Sequence, residues 1–159
     1  MPLNEAGLAQ AHEAAPLLRH RGITTIISSP LSRARVTAEI VAAVLGLPIS
    51  FDEELREVSF GVQEAKPMDG AWFAEWVDGT ATPEGAETFV ALRARAARAI
   101  NRVLANPAPV LVVAHGALFR ALRADMGLEP NVRTANAMPF LCEPGKPAWN
   151  LVPAADLPG

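Results

Sequence analysis

A single cysteine, Cys142, among 159 residues leaves no partner for an internal disulfide and fits a reducing compartment. Its first reading is a small buried hydrophobe, not a nucleophile. Charge is also scarce: 14 Lys and Arg stand against 17 Asp and Glu, a formal net charge of -3. That balance gives no general attraction to nucleic acid or to acidic membrane surfaces, so a small anionic ligand needs a local basic pocket. Charged residues make up 19% and hydrophobic ones 50%, which excludes disorder and suits a folded core at this length. No apolar run is long enough to span a bilayer and no secretory leader is legible, so the expected location is the cytoplasm. His12, His20 and His115 do not form a metal-ligand spacing, and no glycine-rich phosphate loop occurs. Repeats, low-complexity linkers and signs of a second domain are missing too, and one domain over residues 1–159 is expected.

What is present is organised around Pro109 to Arg120. Val110 to Ala114 is an apolar run bounded upstream by Asn106, Pro107 and Pro109, and it reads as a fully buried parallel strand. It ends in His115-Gly116, after which Leu118, Ala121 and Leu122 recur at helical spacing. A histidine where a buried strand turns into a helix stands where open α/β sheets place ligands, and the helix start favours an anion. The plainer reading, that His115 only closes the strand, stays open on these residues alone.

Upstream, Asn4 is a good N-cap for a helix whose apolar face is Leu8, Ala11, Ala15 and Leu18, with Gly22 as its stop. Arg19-His20-Arg21 would lie in its last turn, with His20 solvated. Ile23 to Ser28 is a short strand, and Ser29-Pro30 reads as N-cap and first turn of the next helix, with Leu31, Ala34, Ala38, Val41 and Leu45 inside and Gly46 closing it. Arg33 in that first turn meets an already positive dipole end, a conflict that a bound anion removes; a solvated head is the alternative. Pro48 to Phe51 is a further strand. In Asp52 to Gly61, Asp52, Glu53 and Glu54 suit an exposed loop. Glu57, between apolar Leu55, Val58 and Phe60, is drawn inward, which raises its proton affinity and suits a general acid or base. Residues 62–82 carry Trp72, Phe73 and Trp76 and read as a pocket cover, the aromatics themselves as core. Thr88 caps a long helix with inner stripe Phe89, Leu92, Ala96, Ala99 and Val103, and Arg93, Arg95, Arg98 and Arg102 on its wet face. Ala135 to Cys142 and Trp149 to Val152 read as a terminal hairpin, and Pro153 to Gly159 as a frayed end.

Taken together, several motifs carry a resemblance: Pro2-Leu3-Asn4-Glu5-Ala6-Gly7, Ser28-Ser29-Pro30-Leu31-Ser32-Arg33-Ala34, Leu55-Arg56-Glu57 with Phe60-Gly61, Pro83-Glu84-Gly85-Ala86-Glu87, and Ala114-His115-Gly116 with Arg120. In this order they resemble the histidine phosphatase superfamily, in its phosphoglycerate mutase-like branch. The resemblance implies an α/β fold, a three-layer sandwich with a mostly parallel sheet between helices and a C-terminal antiparallel hairpin. It also implies chemistry on small phosphomonoesters through a phosphohistidine, with no metal and no cofactor. Arg33 and His115 would clamp phosphate oxygens, Gly116 and Ala117 would join them in binding the substrate, and Glu57 would protonate the leaving oxygen. The partners implied are a small phosphorylated molecule or inorganic phosphate, with no nucleic acid and no membrane; a homodimer stays open.

Two departures stand beside the resemblance. The chain begins just past the place of the family's first central strand and its arginine-histidine-glycine nucleophile motif, so that strand is expected to be missing. His12 and His20 do not replace it, since Arg19-His20-Arg21-Gly22 breaks the motif. About five buried apolar side chains at roughly 1.5–3 kcal/mol each would go with that strand. A rearranged segment of the chain or a second copy is therefore expected in its place. The other departure is Val62-Gln63-Glu64-Ala65, where many relatives carry an aromatic and a glycine.

Overall fold

Short β-branched runs build the sheet: β1 (Thr25–Ser28), β2 (Ile49–Phe51) and β3 (Val110–Val113), all parallel, in the order β2-β1-β3. This computed structural model describes residues 3–68 and 70–158. Alternate side chains of the strands serve two helical layers. On one face, Ile26 and Leu111 pack on α2 (Ser32–Leu45), through Ala38 and Ala42, and α1 (Glu5–Leu18) closes over Val41 with Ala15 and Leu18. On the other, Ile27, Val110 and Val112 meet Leu92 and Ala96 of α4 (Phe89–Leu104) and Leu118 of α5 (Gly116–Asp125). The result is a three-layer α/β arrangement, finished by an antiparallel hairpin of β4 (Phe140–Glu143) and β5 (Asn150–Pro153).

Local chemistry sets the boundaries. Asn4 accepts the Gly7 N–H at 2.8 Å and Thr88 the Ala91 N–H at 3.1 Å, capping α1 and α4 as their sequence suggests. Gly46 closes α2 in the left-handed region, at φ 68°. The aromatics of α3 (Ala71–Asp78) are core: Phe73 and Trp76 are buried and meet Phe60 and Phe89 edge to face.

Several expectations are corrected. β3 is half-exposed at all four positions, not fully buried, because it lies at the sheet edge and no strand among the described residues pairs with its second side. No rearranged segment of the described chain takes that place. Helix α1 stops at Leu18, short of Gly22, because His20 already turns left-handed at φ 64°. Helix α2 starts at Ser32, leaving Ser29-Pro30 outside it. The first hairpin strand begins at Phe140, not at Ala135. The tail is held rather than frayed up to Pro158. Ala154 is buried, and Arg21 donates to the carbonyls of Pro158 at 2.6 Å and Ala154 at 3.5 Å.

Candidate active site

The parallel register pairs Ser28 with Val113, so β1 and β3 end level and the residues after them emerge side by side. The Ser29 N–H donates to Val113 O at 2.9 Å, which fixes that junction. One step on, His115 Nε2 lies 2.8 Å from Ser29 Oγ. The same hydroxyl accepts the Leu31 N–H at 3.2 Å, which leaves its own proton free for Nε2. When that proton is given to Nε2, the ring proton stands on Nδ1. Ser29, expected as a helix cap, is thus the partner of the histidine, and the cause is that α2 begins three residues later.

Glu57 reaches the same point from the segment after β2. Asp52 Oδ1 accepts the Glu54 N–H at 2.9 Å and starts a one-turn 3-10 helix, Glu53–Leu55. Leu55 and Val58, both buried, pull the residues between them inward. The Glu57 carboxyl then sits on the start of α5. Its Oε2 accepts the Ala117 N–H at 3.0 Å, and its Oε1 accepts those of Leu118 at 2.9 Å and Val58 at 3.1 Å. The chain's own carboxyl therefore occupies amides that a helix start offers to an anion. This corrects the expectation for Ala117: its N–H is already taken and its side chain is buried, whereas Gly116 is exposed.

Arg33 lies exposed in the first turn of α2, as expected, and among the described residues it makes no hydrogen bond or ion pair. Its charge acts on His115. Burial first, then the Arg33 and Arg95 guanidinium groups, push the imidazole down to about 4, so the ring is neutral at pH 7. Burial acts on Glu57 in the other sense and raises its affinity for a proton, against the pull of three backbone N–H groups and Arg95.

Arg95 contradicts its assignment to the wet face of α4. Its side chain is only 14% exposed and ion-pairs with Glu87 at 2.9 Å. The sequence held a signal for this: Arg95 stands three residues after Leu92 and four before Ala99, on the buried stripe. Arg98 and Arg102 are outward, paired with Glu54 and Asp52. The Arg102 guanidinium holds the Asp52 carboxyl below its ordinary value. Arg120, 8% exposed, places its guanidinium 4.7 Å from the Phe73 ring centre and gives Nη1 no partner among the described residues. Among the described residues no group of three or more His, Cys, Asp or Glu is placed to hold a metal ion.

With this geometry in view, comparison with known proteins decides the family. The model of the histidine phosphatase superfamily (branch 1) matches residues 1–138. The chain belongs to that superfamily. A Yersinia pestis relative, "Probable phosphoglycerate mutase GpmB", is 40% identical over 136 residues, covering 79% of this chain and 63% of that protein. The chain thus spans less than two thirds of the length of the curated relatives it matches. Among solved structures, mycobacterial glucosyl-3-phosphoglycerate phosphatase superposes with a TM-score of 0.79 at 28% identity, over 96% of this chain and 87% of that one. The same mycobacterial phosphatase has also been solved with VO3 and with inorganic phosphate. The alpha-ribazole phosphatase of Shigella flexneri shares the fold, with a TM-score of 0.74 at 23% identity over 96% of this chain and 83% of that one. No helix among the described residues is long and apolar enough to cross a membrane.

Proposed function

We propose that this chain carries the phosphate-clamping and proton-donating half of a phosphoglycerate mutase-like histidine phosphatase acting on small phosphomonoesters. The observation that carries the reading is one junction: Glu57 held on the amides of Ala117 and Leu118, two and three residues after His115, whose ring feels the Arg33 charge. Arg33 offers a fork of N–H donors to two equatorial oxygens, His115 adds an N–H, and the exposed Gly116 backbone lies beside them. A dianion arriving there reverses the field on His115 and draws a proton onto the ring, giving a second cation.

The reaction then balances as follows. In the longer chain that this reading requires, a nucleophilic imidazole would attack phosphorus, and the bond to the ester oxygen would break. That oxygen takes the proton of Glu57, whose raised affinity keeps the proton within reach. In the second step water attacks phosphorus, the N–P bond breaks and releases the neutral imidazole, Glu57 takes the water proton, and inorganic phosphate leaves. A mutase differs only in that a second hydroxyl replaces water. Arg33 and His115 neutralise the charge spread over the transferring group, the main demand of phosphoryl transfer. Residues 62–82, with the aromatic α3, would cover the pocket and set which ester fits.

The test is a longer chain carrying an in-frame upstream strand that ends in arginine-histidine-glycine. It should hydrolyse a generic aryl phosphate and lose that activity at least about a hundredfold on His115→Ala, in line with loss of a transition-state donor. An inert longer chain overturns the phosphatase reading. A second reading is a non-catalytic phosphate binder, favoured by the position of the other histidines. His12 and His20 are exposed on and just after α1, which packs on α2 and the tail. It requires calorimetric binding of phosphate by the 159-residue chain, lost in Arg33→Ala, with no turnover in either length.

A further inference from the structure

Arg95 does more than balance a charge. Its Nε and Nη2 donate to the two carboxyl oxygens of Glu87, each at 2.9 Å. Its Nη1 donates to two main-chain carbonyls, Glu54 O at 2.8 Å and Arg56 O at 2.6 Å. Those carbonyls stand on either side of Leu55, and the second belongs to the residue just before Glu57. Glu87 is itself held: its N–H donates to Ser59 O at 3.0 Å, and its carbonyl accepts Trp76 Nε1 at 2.9 Å. The segment that carries Glu57 is therefore gripped before it by Arg95 of α4 and after it by the Glu87 backbone, and the Arg95–Glu87 pair ties the two grips together.

We propose that Arg95, braced by Glu87, is the positioning residue that seats the Glu57 carboxyl on the amides of Ala117 and Leu118. In a catalytic protein this would present Glu57 to the leaving oxygen, a role that rests on the phosphatase reading above; the seating itself does not. The geometry asks for arginine. A planar fork satisfies a carboxylate with two parallel bonds while a third nitrogen holds both carbonyls, and a lysine ammonium cannot span the two sites. The charges facing Glu57 are Arg95 from α4 and Arg120 from α5, and those facing His115 are Arg33 from α2 and Arg95. Removing the Arg95 grip therefore changes both the place and the charge environment of Glu57.

The test uses amide NMR of the 159-residue chain, with Glu57→Ala, which removes both acceptor oxygens, as the reference for an emptied seat. In Arg95→Lys and Glu87→Gln the Ala117 and Leu118 amide signals should move at least about halfway to their positions in Glu57→Ala. Amides of Ala15 and Val41, in the far helical layer, should stay in place. In an active longer chain, Arg95→Lys should lower kcat about tenfold or more with KM within about twofold, the range that general acid catalysis allows. It should also shift the Glu57 limb of the pH profile, and adding Arg95→Lys to Glu57→Gln should cost nothing further. Folded Arg95→Lys or Glu87→Gln chains with unmoved Ala117 and Leu118 signals overturn the proposal. Should Arg95→Lys not fold, Glu87→Gln, which keeps the shape of its side chain, decides alone. Because the amide signals need no turnover, an inert longer chain sinks the phosphatase reading without touching this result.

Discussion

His115 and Glu57 share one junction, and burial moves their proton equilibria in opposite directions, which gives the residue scale its own signature. The His115 ring titrates near 4 in the fold against an ordinary value of 6.5. The folded state thus holds fewer protons than the unfolded one across that window. Its contribution is fully present above about 6.5 and is lost as pH falls through about 4. The full shift would be worth roughly 3 kcal/mol, and solvent near the partly exposed ring lowers that to about 2 kcal/mol. Glu57 is raised, so its contribution is present below its ordinary value and is lost as pH rises through the raised one. Urea unfolding at pH 7 and pH 4.5 should show the wild type losing about 1–2 kcal/mol more than His115→Asn over that interval. Equal losses in the two proteins would mean that the ring is not held neutral. His115, Glu57 and Arg33 stood out because each violates a local expectation: an imidazole ending an apolar strand, a carboxylate among apolar neighbours, a cation at a helix start. The family resemblance, not that pattern, made them a candidate set. Ser29 did not stand out, since its role depends on the register between strands more than eighty residues apart.

At the scale of elements, the seam between the Glu57 segment and the Pro83–Glu87 loop rests on a glycine. Gly61 has φ +56°, and a Cβ there would run into Glu84 O, Gly85 C and Ala86 N, all backbone atoms that cannot swing aside. The Val62 N–H donates to the same Glu84 carbonyl at 3.0 Å, and Phe60 bridges to Ala86. Gly46 is the fitting contrast: its φ is +68°, yet nothing lies within 4 Å of the added carbon. Gly46→Ala should therefore cost about 1 kcal/mol, the left-handed backbone alone, and Gly61→Ala about 2–4 kcal/mol, strain plus collision. Denaturant midpoints would read both, and similar costs would show that close packing at the seam does not matter. Boundaries were legible where a side chain capped its own helix, as with Asn4 and Thr88, or where Gly46 ended one. They were misread where the backbone turned early, as at His20, or where a tertiary contact decided, as at Arg21 holding the tail. Arg95 was hidden by its company, since four arginines in one helix look like a wet face and only the stripe spacing sets one apart.

For the whole molecule, short β-branched runs alternating with amphipathic helices were legible as strands and helices of an α/β chain, while the three-layer order was legible only through the family resemblance. What the pattern could not decide is where each strand lies in the sheet. Val110–Val113 is as apolar as a central strand, yet it is half-exposed along its length beside a β1 whose Ile26 and Ser28 are fully buried. An apolar strand with one open side presents unpaired amides, an arrangement that natural sheets seldom leave uncovered. Hydrogen exchange should expose this asymmetry. Amides of β1, paired on both sides by β2 and β3, should exchange only on global unfolding. Those of β3 that point away from β1 should exchange at least about a hundredfold faster, reflecting local rather than global opening. In a longer chain whose upstream strand pairs with β3, those same amides should slow to the rate of β1, and thermal stability should rise with them. Equal protection of both β3 edges in the 159-residue chain would show that another surface covers the open side, and the sheet edge would then owe its burial to association.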